Sequence, residues 1–162
     1  MKRILKTSQS GFGIVEVLVA SVIISLVLVG LHATTVQALR LVQQSTKRTQ
    51  ATFFVEETIE VLRSQRDAGW ASSLGTLSSG TDYFLEFDGT AWNTTTTNVF
   101  IDDLFERKFI LEDVYRDGSD DIAGSGVMDP NTKKITVTVS WLAQTGTTTQ
   151  NISTYITDLF GN

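Results

Sequence analysis

The 162-residue chain has no cysteine, one proline (Pro130) and one histidine (His32). Without cysteine there is no disulfide, no zinc–thiolate centre and no thiol nucleophile. With a single histidine, and no serine beside a visible base, the usual nucleophile–base pairs are missing as well, and the sequence reads as that of a non-enzyme. Basic charge is scarce beyond the N-terminus. From Thr34 onward there are seventeen acidic residues against ten basic ones, a net charge of −7. Phosphate contacts need clustered Lys and Arg, so nucleic acid is not an expected partner. Formal charge is absent from Val17 to Leu39, and no proline occurs before Pro130 to interrupt a helix there.

The first eleven residues carry Lys2, Arg3 and Lys6 and no acid. From Ile14 to Leu31 the chain is then apolar except for Glu16, Ser21, Ser25 and Gly30, close to the roughly 20 residues that a helix needs to cross a bilayer. The basic side of such a span faces the cytoplasm. Three readings compete. A secretory signal would have an apolar core of roughly 7–15 residues and a small-residue cleavage site after it, but this core is longer and no such site closes it. An uncleaved anchor fits the length but gives no reason for Gly11-Phe12 or Glu16. The third reading is cleavage after Gly11 on the cytoplasmic side, which leaves the helix whole with a new amine on Phe12. Glu16 matters because an ionised carboxylate in hydrocarbon costs roughly 2.5–3.5 kcal/mol on insertion scales and therefore needs a partner. In an uncleaved anchor it would instead reach back to the headgroups. Ser21, Ser25 and Gly30 allow close helix approach, as in many membrane helices. His32 reads as an interfacial residue.

Ser10-Gly11-Phe12-Gly13-Ile14-Val15-Glu16-Val17-Leu18-Val19-Ala20 resembles the prepilin leader and helix start of type IV pilins, minor pilins and type II secretion pseudopilins. The resemblance covers roughly the first thirty residues. It combines a short basic leader, Gly, Phe, a Glu at fixed spacing and an apolar helix. It implies that a prepilin peptidase cuts between Gly11 and Phe12 and N-methylates Phe12, and that Glu16 pairs with an N-terminal amine during filament assembly. That pairing meets the physical need of a buried carboxylate for a cation. Gly13 stands where the family usually has Thr, and Ile14-Val15 where it has Leu-Ile. The helix lacks the proline that kinks many major pilins, and a disulfide-bounded C-terminal loop is impossible without cysteine. Both departures point toward a minor pilin or pseudopilin.

Beyond Leu31 the helical spacing continues through Val36, Leu39 and Val42 and, after a polar interval from Gln43 to Gln50, through Ala51, Val55, Ile59 and Leu62. Arg63 and Arg66 sit in the expected last turn, with Gly69 as the stop and Trp70 free to fold back. A helix from Phe12 to about Arg66 would be on the order of 80 Å long. Its second half is amphipathic, suited to packing under a sheet; a coiled-coil seam is the competing use, but the polar interval breaks the repeat.

Strands are expected at Asp82–Phe87, at Val99–Ile101 as a short segment, along Phe105–Arg116 with Arg107 and Asp113 as interruptions, at Ile135–Trp141 and at Gln150–Thr157. Asp88-Gly89 signals a hairpin into Thr90-Ala91-Trp92, Asn93–Asn98 reads as a Thr-rich connection, Asp129-Pro130-Asn131-Thr132 as a β-turn and Gln144-Thr145-Gly146 as a turn. The expected fold is α+β and pilin-like: a long N-terminal helix, apolar then amphipathic, under a small antiparallel sheet of three to five strands. The acidic, Gly-rich loop running from Asp117 through Asp120 and Asp121 to Asp129 has the chemistry of a calcium loop but not EF-hand spacing, and reads as a solvated turn. Asn93-Thr94-Thr95 and Asn151-Ile152-Ser153 match the glycosylation sequon. No cofactor is implied, calcium aside.

The organisation expected is a leader at 1–11, a membrane or filament-core half-helix at 12–33 and an extracytoplasmic domain at 34–162. By the resemblance, the partners are prepilin peptidase, other pilin or pseudopilin subunits, inner-membrane assembly machinery and, before assembly, membrane lipid. The chain would sit in the cytoplasmic membrane with its N-terminus inside, and then in a cell-surface pilus or periplasm-spanning pseudopilus. The competing function is a single-pass anchored binding module with an extracytoplasmic domain.

Overall fold

The computed structural model describes Gly11, residues 13–143 and residues 146–161. One helix, α1, spans Ile14–Ala68. Seven strands follow: β1 Tyr83–Phe87, β2 Trp92–Thr95, β3 Phe100–Ile101, β4 Phe105–Arg116, β5 Ile122–Ala123, β6 Val127–Ala143 and β7 Gly146–Thr157. A helix followed by an antiparallel sheet is the α+β, pilin-like order that the sequence implies. Tertiary contacts divide the chain after Gln43, and the two stretches are described in turn.

The described part of the first stretch is essentially helix. Every large aliphatic side chain from Ile14 to Leu31 is at least 54 % exposed. The segment is long and apolar enough to cross a membrane. Helical backbone bonds and the aliphatic surface together suit hydrocarbon rather than water.

From Gln44 onward α1 has a different face. Ala51, Val55, Thr58 and Leu62 recur at three- and four-residue intervals and are completely buried. The Thr58 hydroxyl is hidden by donating to the Phe54 carbonyl at 2.7 Å. The helix packs on a sheet of order β2-β1-β4-β6-β7, with β3 and β5 also paired to β4 and all pairings antiparallel. Period-two alternation turns one set of side chains to the helix: Tyr83 and Leu85, Phe105, Phe109 and Leu111, Ile135 to Trp141 at odd positions, and Ile156. Rings interlock this layer, with Phe54 edge-on to Phe105 at 5.2 Å and Tyr83 stacked on Phe109 at 5.7 Å.

The helix stops after Ala68. Gly69 adopts φ 153, where an added Cβ would meet Ser72 Oγ at 2.8 Å. The Ser73 hydroxyl donates to the Gln65 carbonyl at 2.9 Å, satisfying one of the last-turn acceptors, and Trp70 folds into the core as expected. The Asp88-Gly89 hairpin also forms. Asp88 Oδ1 accepts the Thr90 and Ala91 N–H groups at 2.8 and 2.9 Å, and these bonds hold its carboxyl below the ordinary 3.8.

Several strand expectations need correction. There are seven strands rather than three to five. The Thr-rich connection begins as β2, because Phe87 and Trp92 pair and carry the ladder on to Thr95. Arg107 does not interrupt β4; it lies on the inward face, 4 % exposed. Its guanidinium pairs with Glu57 of α1, donates to the Leu85 carbonyl at 3.3 Å and sits 5.0 Å over the Trp92 ring. Burial pushes its pKa down, with Glu57 opposing. Tyr115, which alternates with Phe105, Phe109 and Leu111 along β4, is 37 % exposed and lies outside the core, while Val114 is buried; the β4–β6 register shifts between Asp113 and Val114. The extra residues on β6 are Pro130, Asn131 and Thr132, so the expected turn at Asp129–Thr132 is an irregularity inside a long strand. Proline has no N–H for the ladder, which places it at such a break. Of the Gln144-Thr145-Gly146 turn, Gln144 and Thr145 lie outside the described residues.

Candidate processing and assembly segment

The segment begins at Gly11. Among the described residues, an added Cβ at Gly11 or at Gly13 would find nothing within 4 Å. Phe12 and the basic residues Lys2, Arg3 and Lys6 lie outside the described residues. The Gly13 carbonyl accepts the N–H groups of Glu16 and Val17 at 3.0 and 3.2 Å and starts the helix. Glu16 therefore stands in the first turn of α1, where the unpaired N–H groups and the helix dipole favour negative charge.

Glu16 differs from the other polar side chains of the span. Ser21 Oγ donates to the Leu18 carbonyl at 2.8 Å and Ser25 Oγ to the Ser21 carbonyl at 2.7 Å. Further along, Thr34 and Thr35 both donate to the Leu31 carbonyl, at 2.9 and 2.8 Å. Every hydroxyl between Ile14 and Thr35 is thus satisfied by its own helix and imposes little cost in an apolar medium. Glu16 is exposed, and among the described residues no cation pairs with it. A carboxylate can only accept hydrogen bonds, so a donor or cation from elsewhere has to supply its partner. His32 is exposed on the same helix, beyond the apolar run.

The acidic residues of the distal loop are arranged differently. Asp117 Oδ1 accepts the N–H groups of Ser119 and Asp121 at 2.8 and 3.1 Å, closing the turn on itself. Arg116 Nε meets Asp129 Oδ2 at 2.7 Å and Asp120 Oδ1 at 3.7 Å. The Arg116 bond holds the Asp129 carboxyl below its ordinary range, and the same contact raises the Arg116 pKa. Asp129 lies on β6 rather than in the loop. Among the described residues no three Asp, Glu or His side chains converge. Asn93 of the first sequon is held by Asp88 Oδ2 at 2.8 Å, and Asn151 of the second is exposed on β7.

Sequence reasoning missed the Glu57–Arg107–Trp92 arrangement. The available signal was an Arg at an inward position of β4, which demands a buried partner.

A family model described as the prokaryotic N-terminal methylation motif matches residues 6–31. No curated protein and no solved structure is significantly similar to the chain. The matched residues include Gly11, Phe12 and Glu16 and end at Leu31, so they comprise a prepilin-type leader and the apolar start of α1.

Proposed function

We propose that this chain, bearing a prokaryotic N-terminal methylation motif, is a structural subunit of a type IV pilus-like filament, in the role of a minor pilin or pseudopilin. A prepilin peptidase cuts between Gly11 and Phe12 and methylates the new amine of Phe12. The mature chain rests in the cytoplasmic membrane until assembly machinery transfers its helix from lipid to the filament core. Other pilin or pseudopilin subunits line that core, and residues 34–162 are displayed outside the membrane in the resulting pilus or pseudopilus. The role is mechanical rather than catalytic.

Glu16 carries this reading. Its neighbours Ser21 and Ser25 are satisfied within the helix, so it is the polar side chain of the apolar run that still needs a partner. The methylated amine of a subunit terminus is a cation of the right kind, delivered at the right depth by cleavage four residues earlier. A proline-free helix and the lack of cysteine favour a minor pilin or pseudopilin over a major subunit.

The test compares wild type with Glu16→Ala in membrane and sheared-filament fractions. Both forms should lose the leader, while the variant stays in the membrane. Incorporation of Glu16→Ala at the wild-type level would remove the role assigned to the carboxylate.

A further inference from the structure

The sheet has two unequal ends. At one, β2 spans four residues; at the other, β7 spans twelve, Gly146–Thr157, and among the described residues only β6 pairs with it. Alternate residues of an antiparallel edge strand turn their N–H and C=O groups outward, so roughly six residues of β7 present an unused ladder. Edge strands are normally blunted by Lys, Pro, a bulge or short length. β7 has none of these. It contains no charged residue and no proline, and its twelve register pairs with β6 run without a break. Its outer residues are Thr, Ser, Asn and Tyr, which suit a pleated surface or tolerate one.

We propose that β7 is an interaction edge whose occupant is β7 of a second copy of this chain, paired antiparallel about a two-fold axis. The absence of charge is what allows the strand to face itself, since like charges directly opposite destabilise a pair. The inward side chains fix the register. Gln150 faces α1, where it donates to Thr52 Oγ1 at 2.9 Å, and Ile156 belongs to the core. Between them on that face, Ile152 is 40 % exposed. Centring the pair on Ile152 sets it against Ile152 of the second copy and covers both side chains. The same register places Gln150 opposite Thr154 and Thr148 opposite Ile156, with Tyr155, half exposed on the other face, opposite Thr149. A contact of this kind is isologous and closes at two copies. It makes no use of the leader or of Glu16, so it stands or falls separately from the filament reading.

The cysteine-free background gives a direct test on the full-length chain in detergent. Residues directly opposite on antiparallel strands have Cβ atoms about 4.5–5.5 Å apart, near what a disulfide spans. Ile152→Cys should form a covalent dimer on mild oxidation about tenfold faster than Ser119→Cys in the exposed distal turn, because pairing raises the effective thiol concentration. Adding Ser153→Lys, which opposes a charge to the edge without touching the core, should bring Ile152→Cys down to the Ser119→Cys rate with unchanged circular dichroism. Equal rates at positions 152 and 119, or cross-linking indifferent to Ser153→Lys, would overturn the proposal.

Discussion

The two halves of α1 solve the same problem in opposite ways. Ile14 to Leu31 presents aliphatic side chains on every side, hides its hydroxyls against its own carbonyls and leaves Glu16 without a described partner. The half beyond Gln44 narrows its apolar surface to the stripe Ala51, Val55, Thr58 and Leu62 and covers it with β-sheet. Among the described residues, the first half leaves its apolar surface uncovered and Glu16 unpaired, whereas the other covers its apolar stripe and pairs its charge, as Glu57 does with Arg107. On the function proposed above, processing and assembly act on the stretch that is not covered within its own fold, and changes inside the self-covered stretch leave them unaltered.

This contrast gives graded predictions. Gly11→Leu should have the largest effect: the leader stays on, and the uncleaved precursor accumulates in the membrane with its sheet intact, as read by gel mobility and circular dichroism. Phe109→Ala removes a fully buried ring at the centre of the layer and should destabilise the sheet-bearing half by about 3–5 kcal/mol in denaturant unfolding, leaving leader removal unchanged. Processing lost along with stability would break the contrast. Glu57→Ala leaves the buried guanidinium of Arg107 without its counter-ion. Because the Glu57 side chain is 45 % exposed, water replaces part of the pair, and the expected loss is about 1–2 kcal/mol.

The smallest effect is a dependence on pH. Asp129 is held below its ordinary 3.8 by Arg116, so its contribution to stability is complete above that value and disappears as pH falls through the lower folded-state value. Asp129→Asn should therefore be slightly less stable than wild type near neutral pH and match it well below the ordinary carboxylate value. A gap that widened with acid would reverse the sign and contradict the Arg116 pairing.

What was legible in the sequence was what local pattern controls. The apolar run, the helix end at Gly69, the Asp88-Gly89 hairpin and the methylation motif matched at residues 6–31 each lie within a few residues of their cause. The misplaced features depend on pairing across the chain. Tyr115 lies outside the core, beyond a register shift against β6 that no alternation within β4 reveals. Arg107 looks like a fault in its strand until Glu57, fifty residues earlier, is brought beneath it. Thr94 and Thr95 are strand because Phe87 and Trp92 dock there, and Pro130 lies inside β6 because a break in the ladder accommodates its missing N–H.

The central claim is that the N-terminal segment is a processed assembly element. The intact mass of the protein extracted from membranes tests it most directly. Loss of the eleven residues through Gly11, with one added methyl group on the Phe12 amine, is the result expected. A full-length chain, as an anchored binding module would have, or a cut beyond Leu31 would contradict it.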